Sequence, residues 1–221
     1  MKLSIQPEAL TNYVKTQMQN LFPDANVDRD TLAPLVDEAL ERTEACFQKI
    51  NLPNYTADGE VMFNHLHSDQ YATFLYFLGN SAFRHGVGPD LPAKAYLLNK
   101  ALHGVEIFYE VTLPENFLLV HPVGSVLGRA TYGNYFTAYQ GCTIGSNVTG
   151  EYPVFGEGVS MFAGSRAIGQ CRIGANTMIS TGTTVLNTDV PENSLAILKD
   201  GAMSIKANRR NVIDYVFRRI F

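Results

Sequence analysis

The five histidines of the chain stand at positions 65, 67, 85, 103 and 121, and histidine is the side chain whose ordinary pKa lets it take and return a proton near neutral pH. His121 sits in the phrase LVHPVGSVLG, directly before a proline. There it reads either as a base presented by a turn or as an ordinary turn residue. His65 and His67 share the compact phrase HLHSDQY with Asp69. Asp69 reads as a cap for the apolar helix that follows or as a carboxylate able to orient a base, a role open also to Glu110. A metal centre would need a fourth ligand beside His65, His67 and Asp69, and none is evident, so no metal is assigned. Cys46, Cys142 and Cys171 are odd in number and lack metal or disulfide spacing.

A base needs a rigid mount, and residues 155 to 185 supply one. Every sixth residue there is apolar: Phe155, Met161, Ala167, Ile173, Ile179 and Val185. Two positions before each, from the second onward, stands a small or narrow residue: Val159, Ser165, Cys171, Thr177 and Thr183. A period of six fits neither a helix nor a single strand, but it fits a coil that turns one corner per hexad and closes a triangular turn every three. The fold class predicted is mainly β, a left-handed parallel β-helix. Its turns bury their faces only on one another, so its ends need caps. Cys142 and Cys171 fall in the small-residue file that fills the coil, which makes them packing residues.

Ile107, Leu113 and Leu119 already keep the six-residue step. The coil is therefore predicted to begin near Val105, slip near Gly124 and resume before Ile144. Between Ile144 and Phe155 nearly a hexad of extra chain, GSNVTGEYPV, must leave the prism as a loop, and such loops are where chemistry tends to sit.

Before the coil, the pattern is helical. Residues 7 to 21 form an amphipathic helix ended by Pro23. Asp28 or Asp30 starts a second, with Leu32, Leu35, Val36, Ala39, Leu40, Phe47 and Ile50 on one face. Residues 51 to 59 read as a loop, Ser68 with Asp69 as the cap of a buried helix carrying YATFLYFLGNSAF, and Pro92 as the start of a helix closed by Gly104. The organisation predicted is a helical N-terminal domain over 1–104, the β-helix over 105–200, and a C-terminal basic amphipathic helical tail over 201–221. In the tail Lys206, Arg209, Arg210, Arg218 and Arg219 interleave with Val212, Ile213, Val216, Phe217 and Ile220, a pattern suited to capping the open end of the coil.

With 221 residues, 46% of them hydrophobic and 17% charged, the chain has material for one or two packed domains. A formal net charge of −4 argues against a general nucleic-acid binder. No leader peptide and no apolar run of membrane-spanning length is evident, so a cytoplasmic protein without a membrane span is expected.

At LVHPVGSVLG, YQGCTIG, the loop ending TGEYP and the hexads that follow, the chain resembles the serine O-acetyltransferases of the hexapeptide-repeat acyltransferase group. The similarity runs from about Tyr96 to about Thr188. It implies an enzyme that transfers acetyl from acetyl-CoA, a co-substrate rather than a bound cofactor, to a small hydroxylated acceptor. It further implies a homotrimer, or a dimer of trimers, with acetyl-CoA in the cleft between neighbours. His121 matches the family's base. Ser146, Ala163, Gly164 and Thr181 match the line of the pantetheine arm, and Gly145 and Gly164 lie where backbone amides can approach a ligand. Lys199, with Lys206 or Arg166 as alternatives, is placed to meet the adenosine phosphates.

Three departures bear on the acceptor. Val120 replaces the family's Asp before the base, the loop's Arg-His before proline is here Glu151-Tyr152, and the loop is shorter. Glu151 inverts the charge offered to a carboxylate, while Tyr152 can still donate a hydrogen bond at the acceptor. Two other functions therefore stay open: transfer to a sugar or surface polysaccharide, and a non-catalytic scaffold. The family's cysteine-synthase partnership depends on a C-terminal isoleucine. This chain ends Ile220-Phe221, so no tight complex through the tail is expected.

Overall fold

The computed structural model describes residues 1–24 and 27–218. Four helices come first: α1 (Pro7–Leu21), α2 (Arg29–Phe47), α3 (Ser68–Arg84) and α4 (Asp90–His103). Asp28 caps α2, its carboxylate accepting from the Thr31 amide at 2.9 Å and the Thr31 hydroxyl at 2.7 Å, as an N-cap aspartate should. α3 is buried continuously from Asp69 to Ala82 and packs between α2 and α4. α4 begins two residues before Pro92 and stops at Gly104, which adopts φ 63° and returns its amide to the Lys100 carbonyl. Between α2 and α3, residues 51 to 63 are more than a loop: a 3-10 turn (Pro53–Tyr55) leads into a hairpin of Thr56–Ala57 with Glu60–Phe63.

From Val105 the chain winds into a three-sided prism of parallel ladders. The first face stacks Val126–Leu127, Thr143–Gly145, Arg166–Ile168 and Thr184–Leu186. The second pairs Val154–Phe155 with Arg172–Ile173, with bridges at Thr131 and Val190. The third stacks Phe117–Val120, Phe136–Tyr139, Val159–Met161, Thr177–Ile179 and Ser194–Lys199. The register puts Leu127, Ile144, Ala167 and Val185 in one column and Leu119, Ala138, Met161, Ile179 and Ala196 in another, all buried. The hexad file of the sequence is thus the axis of the prism. A regular turn, from Arg166 to Thr184, takes 18 residues, whereas the turn from Thr143 to Arg166 takes 23.

The helices are fastened to the first turn by polar contacts. The buried Cys46 thiol donates to the Phe117 carbonyl at 3.2 Å, and the Tyr76 hydroxyl donates to the Val111 carbonyl and accepts from the Leu113 amide, both at 2.9 Å. Burial pushes the Cys46 thiol up to about 12, so it stays protonated.

The tail departs from the amphipathic helix expected over 201–221. Ala202–Ala207 is a strand, antiparallel to Ser194–Lys199, and the only helical geometry in the described tail is a 3-10 turn at Ile213–Tyr215. An exposed sheet edge at Ser194–Lys199 gives residues 202 to 207 a ladder of hydrogen bonds, which an isolated short helix cannot match. Beyond Asn208 the tail folds back along the corner between the second and third faces. Val212 donates its amide to Asn176, the Ile213 side chain packs at Gly158, and Phe217 meets the Tyr135 ring. It ends against α2, where the Arg218 amide donates to the Lys49 carbonyl at 2.7 Å and its guanidinium to the Ile50 carbonyl at 2.9 Å. Arg219, Ile220 and Phe221 lie outside the described residues. No helix among the described residues is long and apolar enough to cross a membrane.

Candidate active site at a bulged corner

The corner between the third and first faces is regular in three turns and irregular in one. Gln140 alone separates Tyr139 from Gly141, and Ala163 alone separates Phe162 from Gly164. Where Val120 pairs with Tyr139, however, His121, Pro122 and Val123 all intervene before Gly124. The ladder still closes, because the Gly141 amide donates to the Val123 carbonyl at 3.0 Å, as Gly164 does to Gln140 at 2.8 Å and Gly182 to Ala163 at 3.0 Å. Two residues are therefore extruded, and this bulge is the slip that the hexad count shows near Gly124. Bulges re-aim a side chain. Here the imidazole of His121 projects from the edge, 74% exposed.

His121 adopts φ 47°, left-handed backbone that a non-glycine residue holds only when its surroundings enforce it. Asp69, from the first turn of α3, does the enforcing. Its Oδ2 accepts the His121 backbone N–H at 3.1 Å and lies 3.8 Å from Nδ1 of the same ring. Asp69 is thus not the helix cap expected from Ser68-Asp69. His67 occupies that position without a side-chain bond, and Ser68 donates its hydroxyl to Asp69 Oδ1 at 3.0 Å. The Asp69 side chain is 7% exposed. Close by, burial pushes the His103 imidazole down to about 4, against the opposing pull of the Asp69 charge, so His103 is neutral at pH 7. Its Nδ1 pairs with Asn99.

Beyond the bulge the same corner forms a straight track of Gly124, Gly141, Gly164 and Gly182, one per turn and about 4.8 Å apart. At Gly141, φ is 66° and an added Cβ would stand 3.6 Å from the Gly164 Cα. Ala163, Gly164 and Thr181 lie on this track, all at least partly exposed. The Gly164 amide, expected to face a ligand, is used by the ladder instead. Lys199 ends the strand four rungs from Val120, roughly 19 Å along the axis, and lies 4.0 Å from Asp200.

Gly145, Ser146, Glu110 and Tyr152 are placed elsewhere, at the corner between the first and second faces. Glu110 pairs with Arg129 at 2.7 Å and does not orient His121. The Gly145 carbonyl accepts from Gly169 at 3.0 Å, and Ser146 begins the loop. Asn147 organises that loop, accepting from the Thr149 and Glu151 amides at 3.1 and 3.0 Å and donating to Glu151 at 2.9 Å and to Asn187 at 3.0 Å. Hydrogen bonds from Asn147 and Thr149 hold the Glu151 carboxyl below its usual range, so the charge is engaged within the loop. The half-exposed Tyr152 ring lies where a Cβ on Gly128 would be 3.3 Å away.

His65 Nδ1 pairs with Ser4 Oγ at 2.8 Å, while Asp69 serves His121. Among the described residues no group of three or more His, Cys, Asp or Glu is placed to hold a metal. Sequence reasoning missed the Asn147 staple and His103. The staple's partner Asn187 is forty residues away, and His103 looked like the end of a helix.

No protein-family model matches this sequence. The chain is similar to a serine acetyltransferase of Synechococcus elongatus, 33% identical over 115 residues that make up 49% of this chain and 46% of the relative. It is also similar to serine acetyltransferase 2 of Arabidopsis thaliana, 35% identical over 96 residues, 42% of this chain and 29% of the relative. The chain spans about half the length, or less, of these curated relatives. Among solved structures, it matches the serine acetyltransferase of Brucella abortus strain S19 with a TM-score of 0.70 and 20% identity, covering 91% of this chain and 84% of that one. The Neisseria gonorrhoeae serine acetyltransferase in complex with serine matches with a TM-score of 0.67 and 22% identity over 88% of this chain and 82% of that one. A further match, with a TM-score of 0.69 and 19% identity, is the Brucella abortus enzyme in complex with coenzyme A, over 93% of this chain and 83% of that one. The likeness shows the fold, a left-handed β-helix.

Proposed function

We propose that the chain is an acyltransferase of the serine acetyltransferase type, moving acetyl from acetyl-CoA to the hydroxyl of serine or a similar small acceptor, with His121 as general base. One observation carries the reading: a strained, exposed histidine, held at its backbone by a buried carboxylate, heads a straight track of small residues. Asp69 Oδ2 lies on the Nδ1 side of the ring, which leaves Nε2 outward. Nε2 takes the acceptor proton as the hydroxyl oxygen attacks the thioester carbonyl. Collapse of the tetrahedral adduct breaks the carbon–sulfur bond, and the departing thiolate recovers the proton from the imidazolium.

The pantetheine arm would lie along Ala163, Gly164 and Thr181, where small side chains let it approach the backbone. Gly145, Ser146 and Tyr152 stand one face away, so they serve the same ligand only if a neighbouring copy presents that corner to His121. A homotrimer is part of the proposal for that reason. Relatives and solved neighbours named as serine acetyltransferases favour serine over a sugar.

The test is release of free thiol from acetyl-CoA with serine as acceptor, compared with other hydroxylated amino acids and with sugars, alongside light scattering for the oligomeric state. Thiol release that depends on serine is expected. A chain that binds CoA yet releases none with any acceptor would defeat the enzymatic reading, and a monomer would defeat the shared cleft.

A further inference from the structure

A crevice of about 900 Å³ opens between α2, the C-terminal half of α3 and the first turn of the prism, on residues with no part in the proposed chemistry at His121. Its floor carries an unusual charge. The half-buried Arg42 guanidinium lies 4.5 Å over the Phe77 ring and donates to Ser81 Oγ at 2.8 Å and to Asn80 Oδ1 at 2.9 Å, all neutral partners. No carboxylate among the described residues bonds to it directly. Burial, with a smaller contribution from the like charge of Arg84, pulls the Arg42 guanidinium below its ordinary pKa.

Two further cations line the same crevice, Arg84 and Lys49, and neither side chain makes a hydrogen bond or ion pair with a described residue. The carboxylates nearby are engaged or peripheral. Glu38 accepts from Ser81 at 2.8 Å and pairs with His85 at 2.6 Å, Glu110 pairs with Arg129 at 2.7 Å, and Glu115 is exposed on the rim. Arg42 reaches the Glu38 charge only through the shared Ser81 hydroxyl. A half-buried guanidinium whose direct bonds all go to neutral groups, beside two cations unpaired among the described residues, is a surface that gains from an oxyanion, since charge-assisted bonds to guanidinium are about twice as strong as neutral ones.

We propose that this crevice is a second ligand site, which binds a small organic anion carrying a carboxylate or phosphate group, with Arg84 and Lys49 on the oxyanion, Arg42 beneath it and the Phe77 and Phe83 rings against its apolar part. The site is independent of the reaction proposed at His121. It nevertheless bears on the same helix, because α3 carries Asp69 at its start and Arg84 at its end, about 22 Å apart at 1.5 Å per residue.

Calorimetric titration of the full chain with inorganic phosphate, and separately with citrate, tests this at constant ionic strength with CoA in excess to occupy any phosphate-binding surface along the prism. Saturable binding of at least one of the two probes is expected, and the stronger one tells a phosphate from a carboxylate ligand. Arg84→Ala and Lys49→Ala, neither of which removes a buried contact, should each weaken it by about tenfold, as loss of one charge-assisted bond implies. Lys15→Ala, on α1, should leave it unchanged. Absence of saturable binding by both probes, equal binding in the wild type and Arg84→Ala, or an equal loss in Lys15→Ala would overturn the proposal.

Discussion

Two corners of the prism depart from the eighteen-residue turn, and they satisfy their polar groups in opposite ways. The loop between Gly145 and Pro153 is the longer departure, yet it is held within the prism: Asn147 bonds to Thr149 and Glu151 inside the loop and to Asn187 on a regular corner. The bulge at His121 is only two residues long, and its amide is satisfied by a carboxylate fifty-two positions earlier, on a helix outside the prism. One departure is held by groups of the prism itself, while the other is held from the helical domain and leaves an imidazole ring facing solvent. The size of an insertion into a repeat therefore says less about how it is held than the origin of its hydrogen-bond partners does.

The sharpest way to break that contrast is His121→Ala. If the bulge is the seat of a general base, kcat/KM should fall by about 10²–10⁴ with the circular dichroism spectrum unchanged, and wild-type turnover would end the assignment. Next in size is Asp69. Replacing it by Ala leaves the His121 amide without an acceptor in a confined place, which should cost about 1–3 kcal/mol in chemical denaturation as well as turnover. Asp69→Asn keeps an oxygen for that amide. It should recover most of the stability while kcat stays depressed, and two variants alike in both readouts would contradict a positioning role.

Asn147→Ala probes the other corner. The loop should become the first site of limited proteolysis between residues 147 and 152, with a stability loss of about 1 kcal/mol or less. A further expectation concerns pH. His103 has a folded pKa of about 4, below the ordinary value near 6.5, so between those values the unfolded chain binds more protons. Stability should therefore fall as pH drops from about 6.5 towards 4, and His103→Gln should flatten that slope in thermal melts recorded across the window.

Much of the prism could be read directly, because a six-residue period has no other compact solution and every axial residue from Phe155 to Val185 is buried. The bulge was visible too, as a slip in that period. What could not be read was who answers whom across long separations. Ser68-Asp69 before an apolar helix has the composition of a cap, and only the folded chain shows that the carboxylate turns away to His121. Glu110 was gathered with His121 by its carboxylate and Tyr152 by the family's loop pattern, although the winding of one chain puts both on another edge. The tail misled through its spacing. Val212, Ile213, Val216 and Phe217 fit a helical stripe, yet the partner they find is a prism corner and the end of α2, reached by one short 3-10 turn.

That return path has a mechanical consequence. Stacked repeats ordinarily fray from their last turn inward, each rung needing only its neighbour to let go. Here the final rungs continue into a strap that runs back beside Asn176, Gly158 and Tyr135 to hook the carbonyls of Lys49 and Ile50. Peeling the far end therefore means unhooking it from the helices at the near end, which makes a chain of local unzippings into a single concerted event.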